Sequence, residues 1–195
     1  MKRTHLHLYI GVFLISVSTL TFEVSLTRIF SISLWYHFAF MVISIAMLGF
    51  GASGSLLMIF PMILNKSLLR TLSIIALLFS SSIVVSYLIV NQVPFDPARI
   101  SWDHNQILFV LVSYFTLSIP FLLSGLVVSI AIARFPDKVG SLYFSNLMGA
   151  GLGCLFIFGV FRAFGGLGGI LIPSLFGLLA SLSFEYNKKL SSVTI

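Results

Sequence analysis

Residues 36–60 read YHFAFMVISIAMLGFGASGSLLMIF, and after His37 no side chain up to Phe60 carries a formal charge. A bilayer core about 30 Å thick is crossed by roughly 20 residues of α-helix rising 1.5 Å each. The run is therefore one crossing. Its apolar residues surround the helix and leave no polar stripe, as expected where lipid and neighbouring helices are equally apolar. It also lacks the strict alternation that marks a strand of a membrane barrel.

Working outward, similar runs fall at 8–30, 71–90, 107–133, 141–161 and 166–184. The expected fold is all-α: a polytopic bundle of about six transmembrane helices in a single membrane domain over 1–195. The balance of the chain agrees. It is 58% apolar and only 8% charged, with a mean hydropathy of +1.12, against about 25% charged residues in a soluble domain. A soluble fold of this length cannot hide so much apolar surface. The first run continues to Phe22 with no small-x-small cleavage site after it, so it reads as a retained helix rather than a cleaved signal.

The 11 Lys and Arg outnumber 5 Asp and Glu. They are scattered singly between apolar runs and form no basic stripe, which argues against a nucleic-acid partner. Their distribution reports topology instead. With six crossings, Lys2, Arg3, Lys66, Arg70, Arg134, Lys138, Lys188 and Lys189 share one side, and Arg28, Arg99 and Arg162 the other. The positive-inside rule then predicts a multi-pass protein of the bacterial inner membrane with both termini cytoplasmic. The longest connection on the other side, NQVPFDPARISWDHNQ at 91–106, is expected to form a short interfacial cap. There Pro94 and Pro97 stop helices, while Asp96, Arg99 and Asp103 tie the loop down. Pro120 predicts a kink or tilt in the fourth helix.

An internal echo links the second and fifth helices: AMLGFGASGSLL at 46–57 and NLMGAGLGCLF at 146–156. With three helices per half the two halves run in opposite directions, the 3+3 inverted repeat of many transporters. Gly49, Gly51 and Gly54 spell G-x-G-x-x-G, but no strand precedes them, so they read as helix-packing residues and not as a nucleotide loop. Ser145, Gly149 and Gly153, spaced by four, share one helix face and read the same way. Gly165, Gly166, Gly168 and Gly169 predict a flexible turn. The single cysteine, Cys154, reads as a small packing residue.

Four residues form the candidate intramembrane polar site: Glu23, Arg28, His37 and Asn146. Charge in hydrocarbon costs several kcal/mol and normally finds a partner or water. Glu23 is the deepest. It is either a substrate or proton site, or a structural group bonded to Thr27, Asn146 or Arg28. Arg28 can snorkel outward. His37 follows Trp35 and Tyr36 in what reads first as an interfacial aromatic belt. Asn146 is a buried amide suited to bonding between helices. No second ligand stands at helical spacing from His37, so no metal is predicted. No catalytic arrangement and no cofactor are read from the sequence.

FEVSLTRIFSISLWYHFAFMVISIAMLGFGASG (22–54), VPFDPARISWD (93–103), IPFLLSGLVVSIAI (119–132) and GSLYFSNLMGAGLGCL (140–155) resemble, in the same order, the membrane domain of bacterial membrane-embedded spermidine-synthase-like proteins. Members of that family often carry a cytoplasmic Rossmann-like domain similar to aminopropyltransferases. Residues matching that domain are missing from this sequence. The resemblance thus implies a membrane module, non-catalytic alone, that anchors or serves a soluble aminopropyltransferase-like partner. The alternative is a transporter of a small molecule such as a polyamine, built as a homodimer of six-helix units. An intramembrane enzyme is a third reading, short of converging polar groups.

Overall fold

The computed structural model describes residues 2–33, 37–65, 67–100 and 102–193, with side chains over 6–33, 38–64, 67–100 and 102–186. The described chain is helical throughout, with no strand among those residues. In order come α1 (Lys2–Ser33), α2 (His37–Ile59), a single turn α3 (Met62–Asn65), α4 (Leu68–Gln92), α5 (Asn105–Arg134) and α6 (Val139–Val193), with 3₁₀ turns at Pro97–Arg99 and Pro136–Lys138.

Five stretches are long and apolar enough to cross a membrane, and the last, Pro136–Tyr186, has 51 residues. Straight, it would measure about 75 Å, more than twice the bilayer core. It is not straight. Gly165 stands at φ 63°, ψ −157°, a region open only to glycine. The chain folds back there: the Phe156 and Phe176 rings, on either side of the glycine, meet edge to face at 5.6 Å. The arm over 139–164 runs parallel to α1, with Gly149 against Phe13 and Ser16 and Gly153 against Val17 and Thr21. The arm after Gly165 runs antiparallel to α1. Its Pro173 carbonyl accepts from the Ser18 hydroxyl at 2.5 Å, and its Ser183 hydroxyl donates to the His7 carbonyl at 3.1 Å. α6 is thus a helical hairpin, and the bundle has six crossings.

The helices pair by direction. α2 lies parallel to α5, with Gly49 seated on Ser118 and Phe121, and Gly125 on Phe50 and Ser53. α4 lies antiparallel to the second arm of α6 through two serine pairs. Ser80 and Ser174 each donate to the other's carbonyl (2.6 and 3.1 Å), as do Ser73 and Ser181 (3.1 and 2.9 Å). Hydroxyls satisfied this way are cheap to hold in lipid and let two backbones approach closely.

These contacts repeat. A Cβ on Gly49 would lie 2.8 Å from the carbonyl of Ser118 and 2.6 Å from the Cβ of Phe121; one on Gly149 would meet the carbonyl of Phe13 and, at 2.9 Å, the Cβ of Ser16. Each glycine touches a carbonyl and the Cβ three residues further on. A shift of 100 residues takes Gly49 to Gly149, and a shift of 105 takes Phe13 and Ser16 to Ser118 and Phe121. A shift of 101 takes Ser73 to Ser174 and Ser80 to Ser181, so one serine pair becomes the other. Every shift joins helices of opposite direction. The bundle therefore carries the inverted three-plus-three relation in its packing.

Pro120 does not break α5. It lacks the N–H that would bond the Thr116 carbonyl, and that carbonyl accepts instead from the Ser86 hydroxyl of α4 at 3.0 Å. Two of the five glycines expected at helix seams lie elsewhere: a Cβ on Gly51 or Gly54 would meet nothing within 4 Å. At about 100° per residue they stand roughly 200° and 140° round the helix from Gly49. Ser145 donates to Ser141 of its own helix at 3.0 Å, whereas Gly149 and Gly153 form the seam with α1.

Candidate functional site

α1 and α5 are the most enclosed crossings, and between them, α2 and the first arm of α6 lies a partly open cavity of about 410 Å³. That volume falls in the range of small-molecule sites. Six polar side chains face it: Ser16 and Thr19 of α1, Ser53 of α2, Ser124 and Ser129 of α5, and Asn146 of α6. Among the described residues no Asp, Glu, Lys, Arg or His lines it.

The local chemistry of these groups follows from their helical setting. A hydroxyl in an apolar helix satisfies its proton on its own backbone one turn back. Thr19 donates to Ile15 (2.7 Å), Ser53 to Phe50 (2.6 Å) and Ser124 to Phe121 (3.2 Å). Each then presents oxygen lone pairs to the cavity. Ser16 Oγ lies 2.9 Å from the Val12 carbonyl and 2.6 Å from Asn146 Oδ1, with one proton to share between them. This contact anchors the Asn146 amide and leaves its NH₂ donors for the cavity. The site is neutral, rich in acceptors, and supplied with one amide donor group.

The cavity sits where the two halves meet. The shift of 105 pairs Thr19 with Ser124 and Leu20 with Gly125, and the shift of 100 pairs Phe50 with Ala150; all six residues line it. Ser53 and Gly125 are so close that a Cβ on the glycine would stand 2.6 Å from Ser53 Oγ.

Of the three residues singled out in the sequence whose side chains are described, Glu23, Arg28 and Asn146, only Asn146 lines the cavity. Glu23 is half-buried on α1 beside Cys154 of α6. Its backbone carbonyl accepts from the Thr27 hydroxyl at 2.8 Å, and among the described residues no hydrogen bond or ion pair reaches its carboxylate. Arg28 is exposed and stacks over the Phe161 ring at 5.1 Å, and it forms no ion pair with Glu23. His37 opens α2, but its side chain lies outside the described residues, as do Trp35 and Tyr36. The five hydroxyls were not singled out. A lone serine or threonine in an apolar run is common, and only the pairing of Thr19 with Ser124 across the repeat sets these apart.

A second cleft of about 230 Å³ opens at the opposite end of α1 and α5. It is mainly apolar, with Ser33, Tyr87, Asn91 and Ser113 among its walls, and Phe95 of the 91–106 connection roofs it. That connection is tied down as its acidic residues predict. Asp96 accepts from the Ala98 amide at 3.0 Å and pairs with Arg99 at 3.0 Å on the surface. Buried Gln106 accepts from the Asp96 amide at 3.0 Å and donates to Asp103 at 2.9 Å. Asp103 also accepts from the Asn105 amide at 3.0 Å. The Gln106 bond, then the Asn105 amide, hold its carboxyl below the usual carboxylate range. Phe95 stacks edge to face on Phe38 of α2 at 5.2 Å.

No family model matches the sequence, and neither a curated protein nor a solved structure matches it.

Proposed function

We propose that this chain is a membrane transporter for a small uncharged polar solute, and that the cavity around Asn146 is its binding site. The observation that carries this reading is the convergence of six uncharged polar side chains from four helices at the junction of two inverted halves. Transporters built from inverted repeats bind substrate at that junction, near the bilayer midplane. Polar groups at that depth are expensive unless a function or a partner holds them there. The neutral lining favours an uncharged solute over a polyamine. Moving an ammonium group into such a site without a carboxylate costs several kcal/mol in desolvation. By the positive-inside rule, the end that bears Arg70, Arg134 and Lys138 faces the cytoplasm of a bacterial cell.

The test is solute entry into proteoliposomes, read by stopped-flow light scattering with urea, glycerol and glucose as probes. At least one probe should enter faster than in protein-free vesicles, and Asn146→Leu should slow it about tenfold. Entry of all probes at the bare-lipid rate counts against the reading. The membrane-anchor alternative draws on the sequence resemblance to spermidine-synthase-like proteins. It predicts recovery of an aminopropyltransferase-like subunit with the protein from native membranes.

A further inference from the structure

We infer that the cavity and the second cleft are two halves of one path through the bundle, and that Phe22 and Phe121 form the plug between them. The inference rests on the transport reading. It is carried by the helical periodicity of the two enclosed helices. On α5 the cleft is lined by Val110, Ser113 and Leu117, and the cavity by Ser124, Gly125 and Val128. Steps of three and four keep residues on one helix face; Val110, Ser113, Leu117, Gly125 and Val128 form such a stripe, and Ser124 and Ser129 of the cavity flank it. Phe121 fills the one gap in it. On α1 the cavity takes Ser16 and Thr19 and the cleft takes Leu26 and Ile29. Phe22 fills the corresponding gap. The two rings meet there, 5.5 Å apart between centroids, and both are fully buried. Phe50, itself a wall of the cavity, stands 6.3 Å from Phe121.

Two aromatic rings in contact leave no room for water and offer no hydrogen bond to a polar solute. Passage requires them to part. The Phe121 anchor makes that local: its Cβ bears on Gly49, so the ring moves with the α2–α5 pair, whereas Phe22 moves with α1. Motion of α1 against the α2–α5 pair therefore opens the plug.

The path is tested by thiol accessibility in oriented proteoliposomes. In a Cys154→Ala background, Ser129→Cys reports on the cavity and Ser113→Cys on the cleft, each probed with a membrane-impermeant methanethiosulfonate from either side. Each thiol should react from its own side only. Adding Phe121→Ala should make both react from both sides, with the newly opened side gaining at least tenfold in rate. Phe121→Leu should give an intermediate gain, and stands in if the alanine variant does not fold. Phe79→Ala removes an equally buried ring away from the path and should leave labelling one-sided. Labelling that stays one-sided in both Phe121 variants overturns the plug. So does two-sided labelling in Phe79→Ala, which would show general loosening. A Ser129→Cys thiol that reacts from neither side, even with Phe121→Ala, overturns the binding-site reading itself.

Discussion

Replacing Gly49 or Gly149 with alanine should destabilise the bundle by about 1–3 kcal/mol, and by similar amounts at the two sites. The magnitude follows from the seams. A Cβ at Gly49 would stand 2.6 Å from Phe121 Cβ and 2.8 Å from both the Ser118 oxygen and the Leu122 nitrogen, where ordinary contact starts at 3.4 Å. At Gly149 it would meet the Phe13 carbonyl and the Ser16 Cβ. These are backbone atoms and first side-chain carbons, which cannot swing aside. The helices must part by about 0.6 Å or more, and a gap of 0.5–1 Å forfeits a quarter to a half of each atomic contact across the seam. At 0.1–0.2 kcal/mol for each of some tens of contacts the loss reaches the range found for overpacked cores. Gly51 and Gly151 supply the control, because a Cβ there meets nothing within 4 Å. Alanine at those sites should be neutral or stabilising by up to about 1 kcal/mol. The assay is reversible unfolding from dodecylmaltoside micelles by SDS, followed by far-ultraviolet circular dichroism. Four variants falling within about 0.5 kcal/mol of one another would refute the seam argument. Gly49→Ala and Gly149→Ala differing by more than about 2 kcal/mol would refute their equivalence.

Ser86→Ala should cost about 1–2 kcal/mol in the same assay, because it orphans the Thr116 carbonyl above Pro120. In a Pro120→Ala background, where that carbonyl regains its helical donor, the same change should cost less than half as much; equal costs would sink the account. Gly165→Ala should destabilise by about 1–3 kcal/mol although open space surrounds the site, since its φ and ψ exclude a side chain; an unchanged SDS midpoint would refute the hairpin geometry. The lowered pKa of Asp103 means that its capping contribution is fully present above the usual carboxylate range, near pH 4, and is lost as pH falls through the folded value. Emission from neighbouring Trp102, in a Trp35→Phe background, should therefore hold steady from about pH 8 to pH 5 and change only in stronger acid. Asp103→Asn should abolish that acid transition, and a transition at neutral pH would contradict the assignment.

Much of the fold was legible because a bilayer imposes a length. The runs 8–30, 71–90, 107–133, 141–161 and 166–184 each lie within a helix or an arm of the hairpin, and 36–60 covers α2. The hairpin turn was legible in the glycine cluster at 165–169, and the loop ties in Asp96 and Asp103. The seams were half legible. The spacing of Gly149 and Gly153 defines a face without help, whereas the G-x-G-x-x-G run mixes one seam position, Gly49, with two that stand on other faces. The candidate site was the least legible part. Ionisable residues draw attention in an apolar sequence, yet Glu23 and Arg28 lie outside the cavity, and the groups that line it are mostly hydroxyls with no distinguishing local pattern.

By itself the sequence determined that the chain is a membrane bundle, how many times it crosses and which crossings run together. All three follow from local quantities: apolar length, charge placement and turn residues. Tertiary structure alone decided which helix faces meet. In lipid both faces of a helix are apolar, so no periodic signal distinguishes the inside from the outside. The pairing of Thr19 with Ser124, the meeting of Phe22 with Phe121 and the rescue of the Thr116 carbonyl by Ser86 each join helices distant in the chain. Each depends on close packing in three dimensions.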